Sequence, residues 1–230
     1  MAKTKAVVGI VARLAEEDTL AEIYRLQAEG ATATTGSVAG RRQIRPATAT
    51  SMFKRLARDG LVIYREYGGV SLTDAGRRVA LGVLRRHRLV ERFLTDLLGM
   101  PWEAVDSFAD EMEHALPEAV VDALERVLGR PFTCPHGYPI PGKDGQLVQS
   151  PVHHLADLRP GEHATVARVD ERLPGLLPYL ETLGVRPGTP LRVLAVNQVD
   201  ETVTLRVGDA THIVGPRITH AVSVTRPPQA

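Results

Sequence analysis

Apolar residues recur at helical spacing through the first hundred positions and at period two near the end, which predicts a helical half followed by a β half. Leu20, Ile23, Tyr24 and Leu26 form one stripe, which Asp18 can cap and Gly30 ends. A short helix around Ser37–Arg41 and a turn at Arg45-Pro46 follow, then a helix over Ala47–Asp59 burying Ala49, Met52, Phe53 and Leu56. After Gly60, Leu61–Arg65 and Val70–Leu72 flank Glu66-Tyr67-Gly68-Gly69 as a two-stranded ribbon. Helix, turn, helix and ribbon in this order predict a winged helix-turn-helix over 1–72.

Further on, Thr202–Val207 alternates and ends in the turn Gly208-Asp209, and Leu191–Val196 and Ile218–Val224 read as short strands. Residues 155–226 therefore predict a small β-barrel or sandwich. Only Pro46 lies in the first 100 residues, whereas fifteen prolines fall in the remaining 130, so helix is unhindered only in the first part. The Pro/Gly-dense run 130–145 reads as an extended connection, not a packed element. At the N-terminus, the run Ala6–Ala12 after Lys3 and Lys5 imitates a signal peptide. Arg13 and the acids Glu16-Glu17-Asp18 break it, which favours a short structured arm.

Charge changes the picture. A net +1 hides two segments of opposite sign: residues 37–92 hold thirteen Lys or Arg against four acids, and residues 93–128 hold nine acids against Arg126. Such asymmetry suggests one face for a polyanion and another for cations. The single Cys134 cannot form an intramolecular disulfide, which excludes a disulfide-stapled secreted scaffold and points to a reducing, cytoplasmic setting. No apolar stretch is long enough to span a membrane.

The basic segment contains the predicted reading helix. Opposite its apolar side stand Thr48, Thr50 and Ser51, then Lys54, Arg55 and Arg58. Short hydrogen-bonding side chains let a helix N-terminus enter the major groove, and the cations reach the flanking phosphates. No aromatic stacking platform for single strands is evident, so duplex DNA is the expected partner.

The acidic segment carries the candidate chemistry. Asp106, Asp110, Glu113 and His114 stand at i, i+4, i+7 and i+8, within an arc of roughly 100° on an ideal helix. Three carboxylates and an imidazole on one face repel unless solvated, paired with cations or bridged by a metal. His87 and Glu91 form another i, i+4 pair upstream. Cys134 and His136 imitate half of a zinc site, but no second pair stands at suitable spacing, so Cys134 reads as a free thiol in a loop. His153, His154, His163, His212 and His220 read as surface or packed side chains.

From Asp18 to Gly142 the motifs IYRL, RLARDGLV, LTDAGRRVA, RRHRLVERFLTDLLGM, EMEHALPEAVVDALE and CPHGYPIPG occur in order. They resemble the diphtheria-toxin-repressor-like family of iron- and manganese-dependent transcriptional regulators, and LPYLETLGVRPGTPLRV resembles the SH3-like domain of its longer members. The resemblance implies a mainly α protein with small β elements: a winged helix (1–72), dimerisation and metal-sensing helices (73–144) and an SH3-like β-barrel (155–226). It implies a primary metal site of Asp18, Asp110, Glu113 and His114. Asp18 and Asp110 stand where iron-responsive members carry Met and Cys, and oxygen donors in place of sulfur suit Mn²⁺. Ala21 stands where the manganese-responsive branch carries a further carboxylate. An ancillary site is implied at His87, Glu91 and Asp106, completed from the SH3-like domain by Glu171 or its neighbour Asp170. Contacts to DNA carry over onto Arg45, Ala47, Thr48, Thr50 and Ser51, with Arg55 and Arg58 on phosphates.

These features together predict a homodimeric repressor of metal-uptake genes, activated by Mn²⁺ with Fe²⁺ as alternative and bound to a pseudo-palindromic duplex operator. Zn²⁺, Co²⁺ or Cd²⁺ are expected to substitute in vitro. Two rivals remain at this point: a metallohydrolase that activates water at the Asp/Glu/His cluster, and a metal-independent DNA-binding dimer.

Overall fold

A computed structural model describes residues 2–148 and 150–227, with side chains from Arg13 onward. The chain divides into two compact units: residues 1–87 with 113–116 and 141–146, and residues 88–112, 117–140 and 147–230.

The first unit opens with α1 (Ala2–Ala28), which begins well before Asp18. Asp18 is therefore an interior residue and not a cap, and the backbone of the expected N-terminal arm is the first part of this helix. Leu20, Ile23, Tyr24 and Leu26 are buried, as their spacing predicts. Thr34 and Ser37 close a capping box at α2 (Thr35–Arg41), satisfying amide groups that a helix start leaves without partners. Pro46 opens α3 (Pro46–Arg58), where a preset φ is useful and no amide is lost. Ala49, Phe53 and Leu56 are its buried stripe. Strands β1 (Val62–Arg65) and β2 (Gly69–Leu72) pair antiparallel from Val62 opposite Leu72 to Arg65 opposite Gly69. Phe53 packs on Tyr64 with ring centroids 5.5 Å apart, which fixes the ribbon on α3. Helix α4 (Asp74–Arg92) starts at Thr73, whose Oγ1 accepts from the Gly76 amide.

In the second unit, a π-turn over Phe93–Leu97 precedes α5 (Val105–Met112) and α6 (Glu118–Val127). The β part is one six-stranded antiparallel sheet in the order β3-β8-β4-β5-β6-β7: β3 (His153–His154), β4 (His163–Val169), β5 (Pro190–Val196), β6 (Val203–Val207), β7 (Ala210–Val214) and β8 (Val222–Thr225). The sheet does not close into the expected barrel, because β3 and β7 are its free edges. Bulges at Val166/Arg168 and Val193/Ala195 curve it instead. The run Ile218–Val224, expected as strand, is split between α8 (Pro216–Ala221) and β8, since Pro216 presets a helical start. Helix α7 (Leu176–Thr182) buries Leu176, Leu177 and Leu180 against the sheet, in a core that also encloses Trp102.

The segment expected as an open connection is packed. Cys134 and His136 are buried, and Thr133 bridges to Pro139. Arginines of α4 satisfy its carbonyls: Arg88 donates to Pro139 O and Arg92 to Thr133 O. Proline and glycine here remove regular structure without removing burial, because side-chain donors replace the missing ladder.

Candidate metal centre and nucleic-acid interface

Asp18 on α1 meets Glu113 and His114 in the turn after α5, a ring of donor atoms within 4.8 Å of one another. Nε2 of His114 lies 2.6 Å from Asp18 Oδ1 and 3.2 Å from Glu113 Oε1. Two carboxylate oxygens thus converge on one imidazole nitrogen, as ligands of a shared cation do.

Each of these groups has an outer partner. His114 Nδ1 lies 3.2 Å from Glu17 Oε2, and the tautomer that donates this bond leaves the Nε2 lone pair for a metal. Glu17 is held in turn by Arg86 at 3.0 Å. His87 Nδ1 is 2.9 Å from Glu113 Oε2, with both side chains buried. Arg42 Nη2 donates to Asp18 Oδ2 at 2.6 Å. Such partners set ring and carboxylate orientation before an ion arrives, and the oxygen-rich donor set fits a hard divalent cation.

A second cluster lies in the other unit: Glu91, Cys134 and His136, all buried, with donor atoms within 4.8 Å. His136 Nδ1 is 2.9 Å from Glu91 Oε1, while its Nε2 donates to the Trp102 carbonyl at 2.9 Å. That bond holds the ring with Nδ1 facing the cluster. Burial works against the imidazolium, but Cys134 and Glu91 outweigh it and push the His136 pKa up to about 11. Burial and the charge of Glu91 raise the Cys134 thiol, and likewise the carboxyl of Glu171. Glu171 Oε2 is buried without a hydrogen-bond partner. A buried imidazole, thiol and carboxylate on one another, beside the unpartnered Oε2 of Glu171, are a donor set that fits a cation with a softer donor preference than the first ring.

The expected grouping is thereby redrawn. Glu91 sits with Cys134 and His136, so Cys134 is a free thiol in an irregular segment as expected, but a buried one beside a carboxylate and an imidazole, and His87 sits on Glu113. Spacing arguments missed this cluster because its members come from α4 and a non-helical segment more than forty positions away; the only signal was Cys134-Pro135-His136. Asp106 and Asp110 lie one turn apart on α5, half-buried and exposed respectively. Asp170 accepts from Arg172 at 3.1 Å. The surface histidines His153, His154, His163 and His220 are exposed.

Arg45 just before α3 and Ala47, Thr48, Ser51, Lys54 and Arg58 on it are exposed, and Thr50 is half-buried. Ser51, Lys54 and Arg58 share a shallow concavity with Tyr64 of the ribbon. Arg55 is turned away from that surface, its Nε 2.6 Å from Glu16 Oε1 on α1. Tyr67 stands fully exposed at the ribbon tip.

Residues 14–70 match the family described as iron dependent repressor, N-terminal DNA binding domain. Residues 73–142 match its metal binding and dimerisation domain, and residues 153–226 match the FeoA domain. The iron-dependent repressor IdeR of Mycobacterium tuberculosis (strain ATCC 25618 / H37Rv) is 32% identical over 225 residues, covering 90% of this chain and 95% of the relative. A solved manganese-dependent transcriptional repressor in complex with manganese has a TM-score of 0.85 at 34% identity, over 92% of this chain and all of that one. ScaR with bound Zn²⁺ has a TM-score of 0.79 at 30% identity, over 92% and 99%. With the winged helix and the ring at Asp18, Glu113 and His114 in place, the chain belongs to the diphtheria-toxin-repressor-like, iron-dependent repressor family of metal-dependent DNA-binding transcriptional regulators, a family of regulators and not of enzymes.

Proposed function

We propose that this chain is a homodimeric, Mn²⁺-activated repressor of metal-uptake genes that acts in the cytoplasm on a pseudo-palindromic operator. The observation that carries the reading is the convergence of Asp18 Oδ1 and Glu113 Oε1 on His114 Nε2. When bound, the ion supplies the positive charge that holds these carboxylates together. Asp18 brings α1 to the ring, and α1 packs on α2, α3 and β2, so the ring stabilises the conformer in which the reading helix is presented. By linkage, operator binding must tighten metal binding by the same factor.

Oxygen donors favour Mn²⁺ at the first ring, and the thiol of Cys134 favours a softer ion at the second, with Glu171 completing it. The exposed apolar side chains Leu97, Leu98, Phe108, Val120, Val127 and Phe132, within or beside the α5–α6 region, support dimerisation through it. Two-fold symmetry then requires paired half-sites in the DNA. No helix among the described residues is long and apolar enough to cross a membrane.

The test is operator binding titrated separately with Mn²⁺ and Fe²⁺ under anaerobic conditions, with a chelator arm. Activation at lower free Mn²⁺ than Fe²⁺ is the expected result. Stronger activation by Fe²⁺ assigns iron as the effector, and equal binding in chelator defeats metal dependence altogether.

A further inference from the structure

Among the outer partners of the first ring, Arg42 alone comes from the helix-turn-helix. It follows α2, and its backbone amide closes that helix on Val38 O. Its guanidinium spans a single turn of α1: Nη1 donates to Ala15 O and to Thr19 Oγ1, and Nη2 donates to Asp18 Oδ2 at 2.6 Å. Asp18 is therefore shared. Oδ1 faces His114 and the ring, while Oδ2 holds Arg42.

We propose that Arg42 is the positioning residue that transmits occupancy of the Asp18–Glu113–His114 ring to the DNA-reading helices. The inference rests on the assignment of that ring made above. A carboxylate is rigid, so fixing Oδ1 among metal ligands fixes Oδ2, and with it a planar donor fork three bonds deep in α1. Arg42 thereby locks the end of α2 and the turn into α3 to the helix that carries the metal ligand. The same bond leaves Asp18 one free oxygen for the ring. All three donations run toward α1, so Arg42 is not a phosphate contact.

The experiment uses the full-length dimer with Arg42→Met, Arg42→Lys and His114→Ala. Operator affinity is measured by fluorescence anisotropy with Mn²⁺ and with chelator at several salt concentrations. Mn²⁺ binding without DNA is measured by calorimetry. For Arg42→Met the ratio of metal-bound to metal-free operator affinity falls roughly tenfold or more. Its metal-free affinity and salt slope stay within about twofold of wild type, and Mn²⁺ still binds. Arg42→Lys, with the charge but not the fork, gives an intermediate ratio. A wild-type ratio in either variant overturns the proposal. So does an equal loss with and without metal, which would mean a role in folding the helix-turn-helix, or a shallower salt slope, which would mean a phosphate contact. If Arg42→Met does not fold by circular dichroism, Arg42→Lys alone decides. Persistent activation in His114→Ala would instead remove the ring assignment, whereas loss there with a wild-type ratio in Arg42→Met would sink only the role of Arg42.

Discussion

Nδ1 of His87 lies 2.9 Å from Oε2 of Glu113, two buried side chains twenty-six positions apart. Glu113 turns its other oxygen to His114, so His87 acts on the first ring from behind. His87→Ala should leave Glu113 without its orienting partner and weaken Mn²⁺ binding at the ring by about 10–100-fold. His87→Gln, which keeps a donor, should recover part of this. Calorimetry decides: a lost equivalent of metal with the remaining affinity unchanged would make His87 a ligand in its own right.

The contrast between the two rings shows what the sequence could carry. Glu113-His114 and the stripe of α3 were legible because local period places side chains on a common face. The partnership of Glu91 with Cys134 and His136 was not, since no periodicity links a helix to a Pro/Gly-rich segment. Nor did the sequence reveal that Arg88 and Arg92, counted among thirteen cations of a DNA face, point their donors at backbone carbonyls of Pro139 and Thr133. Charge counts locate cations along the chain and not in space.

Asp18 and His114 bring residues 96 positions apart into the first ring. Replacing His114 by Ala removes the nitrogen on which both carboxylates converge. Metal-dependent operator binding should vanish while the dimer stays folded by circular dichroism and sedimentation. A variant still activated at the wild-type Mn²⁺ concentration would place the effector ion elsewhere.

Cys134 offers the sulfur of the second cluster. With Co²⁺ as probe, thiolate coordination should give an intense near-ultraviolet charge-transfer absorption that Cys134→Ser abolishes, and the variant should lose affinity for Zn²⁺ and Co²⁺ more than for Mn²⁺. The same absorption in Cys134→Ser would exclude the thiol as ligand.

Glu16 neutralises Arg55 across α1 and α3. Glu16→Gln should release that guanidinium toward DNA, raising affinity for specific and random duplexes alike and steepening the salt dependence by about one phosphate contact. Arg55→Ala should then cost more in the Glu16→Gln background than in wild type. An unchanged salt slope in Glu16→Gln would mean that Arg55 serves the packing of α1 on α3 and never reaches phosphate.

Gly137 sits between the bridge residues Thr133 and Pro139 with φ +90°, and a Cβ there would stand 2.0 Å from Ala167 O and 2.7 Å from Arg168 Cα. The backbone of β4 has no room to retreat, since Val169 donates its amide to His136 O. Gly161 shares φ +90° but would place its Cβ with nothing within 4 Å. The pair separates conformational strain from collision. Gly161→Ala should cost about 1 kcal/mol, from strain alone, and Gly137→Ala about 2–4 kcal/mol, because overpacking against backbone adds to it. Since His136 precedes Gly137, the larger loss should come with weaker metal binding at the second cluster. Equal shifts in denaturant midpoint for the two variants would mean that β4 yields, and that the close approach of these backbones does not hold His136 in place.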